Sequence, residues 1–259
     1  MSSKSLFFLA VAAVSQAATP EGFEPASETN LLVSFGAAAA ENGNVLAKSA
    51  TQTAPVIGTQ SKLDGTSFAV VMIDLDIPTD TPPETGTLLH WMQTGLTQGD
   101  SATTINTTTG TTTAFMFQTS DSQSALAEYI GPNPPARVPL SHRYTQILVD
   151  TSDATEEDLS ALEDASANRL DFDALTVLTE AGLADKIMAG NFFKVENPGP
   201  AMGTVASNSS TGAATSTGST TVPTETPVQS PIQPASAVTR QASGLLVGLL
   251  CLGAIFATL

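Results

Sequence analysis

The sequence predicts a mainly β domain with a few helices packed on it late in the chain. Short runs rich in β-branched and aromatic residues, the composition that favours strands, recur from residue 31 to residue 195. Helix signals are confined to residues 153–182, so strands come first and helices last, a pattern of segregated layers. The one cysteine, Cys251, lies in the final segment. A core drawn from more than about 100 residues therefore has to hold the fold without a disulfide framework.

In chain order the strand runs are residues 31–35, 68–73, 88–92, 114–118, 145–149 and 191–195. Phe68-Ala69-Val70-Val71-Met72-Ile73 is apolar at every position, which fits a central strand buried on both faces. Residues 96–113, rich in Thr and Gly with no apolar period, read as a long solvated loop. Asp153 or Thr155 can cap a helix over 156–163. Asp173 can cap a second over 174–181, with Gly182 as its C-terminal stop.

The 259 residues include 25 Asp and Glu against 9 Lys and Arg, a net charge of −16. That balance excludes a nucleic-acid partner, because phosphate binding needs clustered cations. Hydrophobic residues at 41 % supply one sizeable core, while charged residues at 13 % leave surface polarity to Ser and Thr.

Both apolar ends read as processing signals. Residues 1–17 place Lys4 before a short apolar run and end in Ser15-Gln16-Ala17, the pattern of a secretory signal peptide. Residues 245–259 carry no charge and rise only about 22 Å as a helix, short of a hydrocarbon core of about 30 Å. With a polar spacer and small residues before them, residues 236–259 read as a propeptide exchanged for a glycosylphosphatidylinositol (GPI) anchor at Ala235 or Ser236. Residues 203–235 are a Ser/Thr/Pro-rich stalk, leaving 18–202 as the globular domain. Loss of Lys4 and Arg240 with these ends takes the charge from −16 to −18. Asn106 and Asn208 open N-glycosylation sequons. The chain is expected at the cell surface, secreted and held to the plasma membrane or wall by its lipid.

Histidine is scarce, so the positions of the two, His90 and His142, are informative. Each stands beside an aromatic residue in a strand run, in His90-Trp91 and His142-Arg143-Tyr144. Asp74 and Asp76 end the most apolar strand, where a carboxylate is costly unless it meets donors or water. Tyr129-Ile130-Gly131-Pro132-Asn133-Pro134-Pro135 is a stiff turn whose prolines fix φ and whose glycine permits close approach. A structural histidine, a turn-capping aspartate and a strand-ending proline pair would each explain one piece alone.

The order of the pieces resembles the phosphatidylethanolamine-binding protein family, which includes Raf kinase inhibitor proteins, flowering-time regulators and a yeast carboxypeptidase inhibitor. Its Asp-Pro-Asp-x-Pro and His-Trp signature is matched by Asp74-Leu75-Asp76-Ile77-Pro78 and His90-Trp91. Its Tyr-x-Gly-Pro-x-Pro-Pro and His-Arg-Tyr signature is matched by residues 129–135 and 142–144. Ala189-Gly190-Asn191-Phe192-Phe193 matches a run near the family's end, so the resemblance spans residues 28–198. Leu75 departs from the family proline, and Thr79-Asp80 stands where many relatives carry Ser and a basic residue.

The resemblance implies a large central sheet flanked by a smaller sheet and C-terminal helices, in a secreted, GPI-anchored, fungal-like member. It further implies a small anion or phospholipid-head-group pocket lined by Asp74, His90, Gly131, Pro132, His142 and Tyr144. Two imidazoles can donate to an anion, and Asp74 can orient one of them. The expected function is binding, not catalysis: no Gly-x-Ser-x-Gly elbow supports a hydrolase, no chelating His spacing supports a metal, and no cofactor is expected. The alternative is a serine carboxypeptidase-type protease inhibitor or other protein-binding module.

Overall fold

The structure is a computed structural model that describes residues 17–120 and 122–199. These belong to the first of two units, Met1–Thr204 and Val205–Leu259. The expected signal peptide up to residue 16, the expected stalk, Asn208, Ala235, Ser236 and the expected terminal propeptide lie outside the described residues.

The elements run β1 (Leu32–Phe35), β2 (Ala38–Ala40), β3 (Val45–Leu46), β4 (Val56–Thr59), β5 (Phe68–Pro78), β6 (Thr85–Gln98), β7 (Thr103–Thr107), β8 (Gly110–Gln118), β9 (Ser141–Asp150), α1 (Glu156–Ser166), α2 (Ala174–Glu180) and β10 (Ile187–Glu196). Hydrogen-bonded neighbours follow the order β2-β1-β4-β8-β6-β5-β9-β10-β3, with β7 paired to β8. Among the named strands β10 and β3 pair in parallel, and Asn30 adds a parallel bridge to Gly190. β8 joins the path through two register pairs with β4 and two with β6. It thus links the small group around β1 to the large group around β5.

The mainly β expectation holds, and β5 explains why. Its alternate side chains enter two cores, as the uninterrupted apolar run requires. Phe68, Val70 and Met72 join Leu31, Val33 and Phe35 of the small group, together with Tyr144 and Phe193. Ala69, Val71 and Ile73 join Leu162, Phe172 and Leu178 on the helical side. A buried amide ties the two strand groups together: Asn191 Nδ2 donates to Leu31 O at 2.8 Å and to Ala40 O at 2.7 Å.

Of the two caps considered for α1, Thr155 serves. Its Oγ1 accepts from Asp158 N at 3.2 Å while Asp158 Oδ2 accepts from Thr155 N at 2.8 Å, a reciprocal capping box. Asp173 caps α2 through Thr176 N at 2.8 Å, and Gly182 follows at φ +65°, a left-handed stop.

The long loop expected at 96–113 is corrected. β6 continues to Gln98, and residues 103–107 pair with 110–114 as a hairpin. Threonine is β-branched and favours strands without making them apolar, so a solvated edge hairpin carries little hydrophobic pattern. Ile105 alone of β7 is buried, against Leu32 and Ala114.

Candidate functional site

Two irregularities at the end of the central strands build the site. Met72 pairs with Trp91 and Ile73 with Leu89, so His90 is an extra residue in β6. Such a bulge re-aims its side chain, and the His90 ring lies edge-on to Tyr144 at 5.1 Å. Asp74 pairs with Leu88 and Ile77 with Gly86, so β5 also bulges, at Leu75 and Asp76. The second bulge holds without the family proline: Asp74 Oδ1 accepts from Asp76 N at 2.9 Å. Asp76 in turn accepts from Arg143 N at 2.7 Å, Nε at 2.9 Å and Nη2 at 2.8 Å. This fork raises the Arg143 pKa, chiefly by hydrogen bonding to the carboxylate.

Asp74, His90, His142 and Tyr144 come together in space. Asp74 Oδ2 accepts from His142 Nδ1 at 2.8 Å and lies 4.0 Å from His90 Nε2. His90 Nδ1 donates to Ile130 O at 2.6 Å. All four residues are buried, from 0 % to 3 % exposed. Burial lowers the His90 pKa below its ordinary value, outweighing the raising effects of the Ile130 bond and Asp74. Burial likewise raises the Tyr144 pKa, with the nearby Asp74 charge adding to it.

Two polar atoms here are buried and unpartnered, His142 Nε2 and Tyr144 Oη. Tyr144 Oη faces Asp74 and the Asn133 backbone N–H without a well-formed hydrogen bond to either. A buried polar atom left in this way is costly, and a ligand is one means of satisfying it.

Gly131 and Pro132 stand in the turn bordering this cluster. A Cβ on Gly131 would lie 3.0 Å from the Gln52 Cα, a contact tight enough that the close backbone approach favours glycine. Gln52 Nε2 donates to Pro132 O at 3.0 Å, Lys48 Nζ donates to Asn133 Oδ1, and Tyr129 Oη donates to Thr51 O at 2.8 Å. The segment 48–52 thus braces the turn. Arg169 clamps the other side, donating from Nη1 to Leu89 O at 3.2 Å and from Nη2 to Glu128 O at 2.9 Å. Sequence reasoning missed these braces. The scarcity of cations, 9 in all, was the signal that could have singled out Lys48 and Arg169.

Asn106 lies apart, on β7, where its Nδ2 donates to Gly36 O at 2.7 Å. A cavity of about 620 Å³ also lies elsewhere, lined on the helical side by Phe23, Leu75 and Phe172 and taking in none of the six expected pocket residues. Among the described residues no group of three or more His, Cys, Asp or Glu could hold a metal ion.

Residues 36–193 match the family described as phosphatidylethanolamine-binding protein. The chain is 31 % identical over 208 residues to a Talaromyces stipitatus protein named Phomoidride biosynthesis cluster protein N, covering 73 % of this chain and 96 % of that one. Among solved structures, a carboxypeptidase Y inhibitor complexed with its cognate proteinase is 22 % identical, with TM-score 0.45, over 65 % of this chain and 83 % of that one. A phosphatidylethanolamine-binding protein from Plasmodium vivax is 18 % identical, with TM-score 0.47, over 68 % and 91 %. The chain belongs to the phosphatidylethanolamine-binding protein family.

Proposed function

We propose that this domain is a surface-anchored extracellular binding protein, not an enzyme, whose pocket takes a small anion or a phospholipid head group. The observation that carries the reading is the buried, unpartnered His142 Nε2 beside an unpartnered Tyr144 Oη, with both Nδ1 atoms of the histidines held by acceptors. Asp74, His90, Gly131, Pro132, His142 and Tyr144 line the pocket. The burial of its side chains restricts the occupant to a small group. An overall charge of −16 opposes anions at long range, so affinity rests on local donors and rises with salt screening of that field. Secretion and lipid anchoring rest on the leader and tail sequences, and they place the ligand outside the cell.

Isothermal titration with inorganic phosphate, acetate and phosphoethanolamine tests the reading. Binding by wild type and its loss in a folded His142→Ala variant is the expected result. No binding by wild type, or equal binding by the variant, would sink it.

A second reading, a module that binds a protein such as a serine carboxypeptidase, draws on one surface. Ile130, Val138 and Leu140 are exposed apolar side chains on the segment bordering the pocket. Inhibition of such a protease that survives His142→Ala favours this reading.

A further inference from the structure

The acceptors around the two imidazoles determine where their hydrogens sit. A carboxylate and a carbonyl only accept, so His142 Nδ1, 2.8 Å from Asp74 Oδ2, carries a hydrogen, as does His90 Nδ1, 2.6 Å from Ile130 O. A neutral imidazole holds one hydrogen. In the neutral site both Nε2 atoms are therefore bare lone pairs: one buried and unpartnered on His142, the other 4.0 Å from Asp74 Oδ2 on His90. An anion without hydrogens meets two acceptors and a carboxylate there. Near His142 the Tyr144 hydroxyl and the Asn133 backbone N–H are donors.

We propose that the site binds its anion together with one proton, taken from solvent onto His142 Nε2, so that a buried acceptor becomes a charged donor to the ligand. This rests on the anion-binding reading above and specifies its chemistry. The proton leaves solvent or buffer, bonds to Nε2, and stays while the ligand stays; no other bond changes. Asp74 stands behind the ring and answers the added charge through Nδ1–H.

The surrounding charges fit this assignment. Asp76 is already matched by the Arg143 fork, and Arg169 is committed to backbone carbonyls behind His90. Asp74 is the carboxylate in direct contact with His142. Tyr144 packs against both rings, 5.1 Å from His90 and 6.4 Å from His142, and its raised pKa keeps it a neutral hydroxyl. Burial disfavours a second hydrogen on His90, which leaves His142 as the imidazole to take up the proton.

The test is calorimetry of the purified full chain with two probes. Sulfate carries no exchangeable proton near neutrality, whereas inorganic phosphate can bring its own. Titrations in buffers of different ionisation enthalpy, from about pH 5 to about pH 8, count the protons taken up. The expected result for sulfate is uptake of about one proton, with affinity falling about tenfold per pH unit wherever the empty site is unprotonated. Phosphate is expected to show a shallower dependence. Sulfate binding with no proton uptake and flat affinity would overturn the inference while leaving the anion pocket standing. Absence of binding by either anion at every pH would overturn both. His142→Gln, whose amide presents a permanent donor, is expected to bind sulfate without pH dependence; an unchanged wild-type slope in that variant would overturn the assignment to His142.

Discussion

Asp74 and His142 form a buried pair, Oδ2 accepting from Nδ1 at 2.8 Å, with the two residues 2 % and 0 % exposed. The other Asp74 oxygen accepts from Asp76 N at 2.9 Å, so one carboxylate both orients the imidazole and pins the bulge of β5.

Asp74→Ala therefore leaves two buried donors unsatisfied. A loss of about 3 kcal/mol in unfolding free energy is expected by urea denaturation, from the cost of stranding such groups. Asp74→Asn, which keeps an acceptor oxygen, is expected to lose less while still weakening anion binding.

The lowered His90 pKa makes a prediction about acid stability. Unfolding returns the ring to its ordinary value of 6.5, so below that pH the unfolded chain binds more protons than the folded one. The stability contributed by neutral His90 is present above about pH 6.5 and is lost as pH falls toward the lower folded value, with a slope of at most about 1.4 kcal/mol per unit. Urea unfolding in anion-free buffer should show this slope in wild type and a shallower one in His90→Gln. Identical slopes in the two proteins would contradict the burial argument.

Gly131→Ala brings a methyl group to 3.0 Å from the Gln52 Cα. Backbone cannot swing aside as a flexible side chain can, so the turn shifts, at a cost of about 1–2 kcal/mol for overpacking. Displacement of Ile130 O and Asn133 N–H should weaken anion affinity together with stability. Thermal melts and titration of the same sample check both effects.

Arg169→Met removes a guanidinium that bridges the Leu89 and Glu128 carbonyls. A destabilisation of about 2 kcal/mol is expected, because hydrogen bonds from a charged donor are lost and their acceptors remain. An unchanged unfolding midpoint would show that water replaces the clamp.

The central strand was legible because Phe68 to Ile73 is apolar on both faces, and the caps Thr155 and Asp173 were legible because helix starts depend on adjacent residues. β2 was not, since Ala38-Ala39-Ala40 has no strand preference and exists through pairing with β1. β7 hid behind threonines, with Ile105 as its one buried side chain. At the site, the resemblance brought together Asp74, His90, His142 and Tyr144. It could not show the bulge that turns His90 toward Tyr144, or the closure that leaves His142 Nε2 without a partner. Arg169, which braces the site from 79–80 residues away in sequence, has no local pattern to betray it.

The most direct test of the anion pocket is a high-resolution crystal structure grown in inorganic phosphate. The account predicts tetrahedral density within hydrogen-bond distance of His142 Nε2 and Tyr144 Oη, between the two imidazoles and the 131–133 turn. Phosphate density confined to other surfaces, with these two atoms still unpartnered, would contradict it.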